Sequence, residues 1–128
     1  MENVEKKQNV TELINSFEDA LKLSGSPAVP EFSDAPEELR EYFKAQYMGT
    51  VLAKAYNEGE QVDWENGNQE KWLPWFRMSS GGFVFYITSY YCSPANAGSG
   101  SRLCFLKEKT AADAGRKFPE IYAKFLQG

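Results

Sequence analysis

The chain contains no histidine. A Ser–His–Asp or Cys–His relay and any imidazole-bound metal are therefore excluded. The two cysteines, Cys92 and Cys104, stand twelve positions apart and cannot alone complete a tetrahedral thiolate site. A hairpin centred near Ala97 would set residue 104 against residue 90, leaving Cys92 only a diagonal reach. Both therefore read as reduced, packed thiols of a cytoplasmic protein. Asp63-Trp64-Glu65-Asn66-Gly67 approximates a calcium loop. It places glycine at loop position five, itself a ligand position, instead of six. Asp63 and Glu65 would share one face of an extended chain, the minimum for paired-carboxylate work, but nothing else marks such a pair. Gly81-Gly82 and Gly98-Ser99-Gly100 lead into strand patterns, so neither is a phosphate-cradling loop before a helix. These residues point to no catalytic group, no metal and no cofactor.

Aromatic density is the unusual feature. Nine aromatics fall within residues 64–91: Trp64, Trp72, Trp75, Phe76, Phe83, Phe85, Tyr86, Tyr90 and Tyr91. In the strand pattern Phe83–Tyr91, alternation puts Phe83, Phe85, Ile87 and Tyr91 on one face and Val84, Tyr86, Thr88 and Tyr90 on the other. The first set is the expected core face, and the hydroxyl-tipped second set suits a half-wet surface. The plainer reading of these rings is core and cross-strand packing. The functional reading is a platform that stacks bases or anchors a partner protein. Candidate binding residues are Trp64, Asn68, Gln69, Lys71, Trp72, Trp75, Arg77, Tyr86, Tyr90 and Arg102. Lys71, Arg77 and Arg102 would add cationic contacts, or simply be solvated charges. The amides of Asn66, Asn68 and Gln69 would bond a ligand, or satisfy backbone groups in a turn.

These residues need elements to hold them. Residues 1–9 read as a polar tail, and 10–128 as one domain. Asn9-Val10-Thr11-Glu12 has capping-box spacing before Leu13, Ile14, Phe17, Ala20 and Leu21, which predicts a helix over about 10–23 ended by Ser24-Gly25. A Pro-punctuated connector spans 24–35. Asp34, Pro36 and Glu37 open a second helix that runs to about Asn57, apolar enough to be central. Asn66-Gly67 predicts a tight turn with positive φ. Leu73–Met78, Phe83–Tyr91 and Arg102–Lys107 read as strands, with a long Gly/Ser loop at 93–101. Thr110 with Asp113 caps a last helix that Pro119 should bend near Gly115. The expected class is α+β: a three-stranded antiparallel meander packed on about three helices, in the order α-α-β-β-β-α.

Charge is uneven. Residues 1–64 carry net −7 and residues 65–128 net +3, for −4 overall and a pI near 4.9. That balance disfavours a strong nucleic-acid binder. No apolar run is long enough to span a membrane, and the N-terminus lacks a signal-type apolar stretch, so a cytoplasmic protein without membrane contact is expected.

Several segments form a recognisable set: Asn57-Glu58-Gly59, Asp63-Trp64, Asn66, Asn68-Gln69, Lys71-Trp72 and Pro74-Trp75-Phe76, then Gly100-Ser101-Arg102-Leu103-Cys104-Phe105 and the Ala-Gly-x-x-Phe-x-x-Ile-Tyr pattern at 114–122. Over roughly residues 36–126 the chain resembles small uncharacterised proteins of gut bacteria and their phages or mobile elements. The resemblance implies a cytoplasmic, phage- or mobile-element-related origin and no residue roles. Pro119 departs from the ordinary helix former expected there.

The expectation is a non-enzymatic interaction module that uses the aromatic sheet to bind a protein partner or a second copy of itself. The alternatives are a single-stranded nucleic-acid binder using Tyr86, Tyr90, Trp72, Arg77 and Arg102, and a small enzyme using Asp63, Glu65 or a cysteine.

Overall fold

A computed structural model describes residues 9–79, 82–91 and 101–127. Within these, the class is α+β, with five helices and one two-stranded antiparallel sheet.

The helix expected over 10–23 is two helices, α1 (Val10–Leu13) and α2 (Phe17–Ser24). Asn9, at the end of the expected tail, caps α1 by accepting from the Thr11 amide at 3.0 Å. The break follows from Asn15-Ser16, whose side chains compete for backbone partners. The Asn15 side-chain Nδ2 donates to the Glu12 carbonyl, and Ser16 forms a reciprocal capping box with Asp19. Backbone amides of Asn15 and Ser16 donating to the Asp19 carboxylate hold its pKa below the usual value. Gly25 closes α2 in the left-handed region, φ 66°.

The connector is tied down from α3 (Glu37–Tyr56), where the Arg40 guanidinium donates to the Ala35 and Ser33 carbonyls. Pro36 holds the N-cap position of α3, and the expected Asp34 cap is not made. Residues Ala45, Gly49, Val51, Leu52, Ala53, Ala55 and Tyr56 of this helix are buried, as its apolar girth requires. The left-handed positions past its end are Glu58 and Gly59, while Gly67 does not take positive φ. The 63–69 stretch instead makes two successive turns, Asn66 N–H to the Asp63 carbonyl and Gln69 N–H to the Asn66 carbonyl.

Strands β1 (Lys71–Ser79) and β2 (Gly82–Tyr91) pair from Lys71↔Tyr91 to Ser79↔Gly82. The register slips between Trp75 and Phe76, so Tyr86 is an extra residue between the pairs Phe76↔Phe85 and Trp75↔Ile87. A bulge of this kind reverses the phase of the strand beyond it. Phe83 and Phe85 face the core as expected. Ile87 does not: it is 51% exposed, while Thr88, opposite Pro74, is the half-buried residue.

No third strand forms among the described residues. Ser101–Leu103 is one turn of 3-10 helix, and only Phe105 pairs in sheet fashion, with Trp72 at the outer edge of β1 rather than beside β2. The reason is competition for backbone groups. The Asn57 side chain, at the end of α3, donates to the Cys104 carbonyl at 3.0 Å and accepts from the Leu106 amide at 2.9 Å. The segment is thus pinned between helix and strand with no free run for a ladder.

The last expected helix is also two, α4 (Glu108–Lys117) and α5 (Pro119–Leu126). Pro119 breaks the chain at Phe118 and starts α5, instead of bending a continuous helix near Gly115. Thr110 lies inside α4 and donates to the Lys107 carbonyl, so it is not the cap. Gly115 serves close approach: a Cβ there would run into the Phe85 ring and come within 3.1 Å of Pro74. The core joins Ile14, Leu52, Tyr56, Phe105, Ala114, Phe118 and Ile121 across the helices and the inner face of the hairpin.

Candidate functional site

The structure distributes eight of the ten candidate residues over three places. Trp75, Arg77 and Tyr86 share the outer face of the hairpin. Strand alternation puts Trp75 and Arg77 there, opposite in phase to inward-facing Pro74 and Phe76. The bulge brings Tyr86 and Ile87 out together. With Val84 nearby, the exposures are Trp75 56%, Val84 53%, Tyr86 56% and Ile87 51%; Met78, opposite Phe83 and in the phase of Phe76, is 61% exposed near the hairpin end. The Arg77 guanidinium lies over the Tyr86 ring, 4.2 Å from its centroid. The Trp75 indole N–H donates to the Ser89 hydroxyl. Both rings therefore have fixed orientations on an open surface.

Trp72 has the opposite phase; it is half-buried and packs against the core. Tyr90 is described only through its backbone pairing with Trp72. Cys92 and positions 93–100 of the expected loop lie outside the described residues.

The second place is the turn region before β1. Lys71 is wholly buried, with its ammonium 5.2 Å from the Trp64 ring centroid and donating to the Asn66 carbonyl at 2.9 Å. The Gln69 side-chain oxygen accepts from the Asp63 amide at 2.7 Å, and the Asn66 side-chain oxygen accepts from the Asn68 amide at 2.9 Å. Asp63 accepts from the Glu65 amide. Asn66, Gln69 and Asp63 thus satisfy turn backbone, the plainer of the two sequence readings.

The third place is a groove along one face of α3. A hollow of about 500 Å³ runs from Phe32 and Phe43 to Arg102, and a second of about 700 Å³ continues past Lys54 to Trp64 and buried Cys104. Exposed Arg102 borders both, remote in role from the outer hairpin face.

Missed by sequence reasoning are Ile87 and Met78 as surface residues. Ile87 needed the bulge, which no residue type at 85–87 announces. The nucleic-acid set is not assembled on one face, since Trp72 points inward and Arg102 lines the α3 groove. The outer face does have a charge character. Arg77 is its charged residue, and no aspartate or glutamate occurs in either strand of the hairpin.

The strongly shifted phenols, Tyr56 and Tyr122, belong to the core and not to these surfaces. Burial raises both, and for Tyr56 the Asp113 carboxylate adds to it.

No protein-family model matches this sequence, and neither does any curated protein or solved structure. Among the described residues, no helix is long and apolar enough to cross a membrane.

Proposed function

We propose that this chain is a non-enzymatic interaction module that docks a protein partner on the outer face of the β1–β2 hairpin. The observation that carries the reading is the clustering there of Trp75, Val84, Tyr86 and Ile87, each more than half exposed, while the inner face of the same two strands is packed. Fully burying such a side chain is worth roughly 1.5–3 kcal/mol, so covering the exposed half of each is worth about half of that, and the four together supply an anchor. Tryptophan, tyrosine and arginine are also the residue types that dominate binding energy at interfaces. The resemblance to phage- and mobile-element-encoded proteins would place such a module in the cytoplasm.

The test compares immobilised wild-type chain with the Trp75→Ser/Ile87→Ser variant. Proteins retained by the first and lost by the second are expected. Sedimentation of both shows whether the partner is a second copy. Identical retained sets, with both chains monomeric, would sink the reading.

A further inference from the structure

We infer that the partner taken by this face is an extended, acidic polypeptide segment with apolar side chains, added as a strand to the edge of β2 that pairs with no other strand among the described residues. The inference rests on the docking reading above and commits that surface to one chemistry.

The first observation is the asymmetry of the two sheet edges. The outer edge of β1 is taken at Trp72 by Phe105, with N···O distances of 2.7 and 2.8 Å in the two directions, and β1 carries Pro74, which has no N–H to offer. β2 contains no proline and, among the described residues, has no strand or bridge on its other edge. An uncovered strand edge is a template for pairing with another chain.

The second observation is charge. Arg77 makes no ion pair among the described residues, and no carboxylate occurs anywhere from 71 to 107 to neutralise it. It pairs with Val84 in register, yet its guanidinium sits over Tyr86, so the positive charge is carried from β1 across onto β2. A strand added to β2 would run about 4.8 Å further out. An aspartate or glutamate on its outer face then lies within reach of a guanidinium held in place by a ring. Its alternate side chains on that face would flank Val84, Tyr86 and Ile87, which calls for apolar residues beside the acid.

The experiment is a random-peptide display selection on the immobilised full chain, counter-selected on Trp75→Ser/Ile87→Ser. Survivors are then synthesised and titrated. Expected survivors combine a net negative charge with alternating Leu, Ile, Val or Phe. Arg77→Gln, at an exposed position that leaves folding intact by circular dichroism, should weaken them about ten-fold. Raising salt should weaken them further, and backbone N-methylation at alternate positions should abolish binding. Survivors that are neutral or basic, or indifferent to Arg77→Gln, overturn the acidic chemistry and leave the docking face standing. Survivors that tolerate N-methylation overturn the added strand. If no peptide depends on the face, the docking reading falls as well. If an oligothymidylate binds there and no peptide does, the surface belongs to nucleic acid and the inference is overturned.

Discussion

Two buried phenols show how far one hydrogen bond changes the role of a residue. The Tyr56 hydroxyl donates to an Asp113 carboxylate oxygen at 2.7 Å, and the Lys117 ammonium lies 3.0 Å from the same oxygen. Lys117 also donates to the Thr11 and Ile14 carbonyls, so this cluster fastens α1 to α4. The Tyr122 hydroxyl is buried and has no partner among the described residues, although its ring stacks 5.0 Å from Phe76. An unsatisfied buried hydroxyl is a standing cost, so Tyr122→Phe should raise stability by about 1 kcal/mol, whereas Tyr56→Phe should lower it by about 1–2 kcal/mol. Urea midpoints of the two variants decide this, and a loss for Tyr122→Phe would mean that the hydroxyl has found a partner. The same phenols set an alkaline limit. Both are raised above the ordinary 10.0, chiefly by burial. The unfolded chain therefore releases these protons near pH 10 while the folded chain keeps them, so their contribution to stability is level below about pH 10 and falls above it. Urea midpoints taken through that range, read beside tyrosinate absorbance, should fall together with ionisation. Tyr122→Phe should remove part of the slope, and a midpoint that stays flat well above pH 10 would contradict the assignment.

The seating of α4 on the hairpin depends on Gly115 at the level of elements. A methyl group there would run into the Phe85 ring and come within 3.1 Å of the Pro74 side chain. Gly115→Ala should cost about 1–3 kcal/mol through overpacking, and Phe85→Leu in the same chain should return part of it. Additive losses in that cycle would show that the contact is not the cause. The chain announced much of this architecture. Apolar spacing marked α3, and aromatic and β-branched runs marked β1 and β2 to within a residue or two. Gly25 marked a helix end, whereas Pro119 was read as a bend near Gly115 and is a break at Phe118. What the residues did not reveal depends on partners distant in sequence. Arg102–Lys107 has the composition of a strand, but Asn57 takes its backbone groups. The Asn15-Ser16 break rests on local side-chain competition that helical periodicity masks. The slip at Tyr86 is a matter of register, which alternation alone cannot display, and it moved Ile87 from the expected core onto the candidate surface. Trp75, Arg77 and Tyr86 were legible as candidates, while their separation from Trp72 and Arg102 became visible only once β1 and α3 had fixed positions.

Across the whole molecule the hairpin has two unequal sides, and that inequality can be tested without knowing any partner. On the inner side the Phe76 ring lies 4.7 Å from Phe83 and 5.0 Å from Tyr122, joining sheet to α5. Phe76→Ala removes that junction and should cost about 3 kcal/mol or more. On the outer side Val84 and Ile87 are 53% and 51% exposed, so the folded chain gains little from them. Threonine keeps the β-branch, and with it the strand preference. Val84→Thr/Ile87→Thr should therefore leave stability within about 0.5 kcal/mol of wild type. On the docking role proposed above, the same variant should also show weaker partner retention. Paired urea titrations of the two variants, at protein concentrations low enough to exclude association, measure the contrast directly. A loss of about 2 kcal/mol or more in the threonine variant would mean that these side chains hold the fold together, and the surface would then lose its claim to be a docking face.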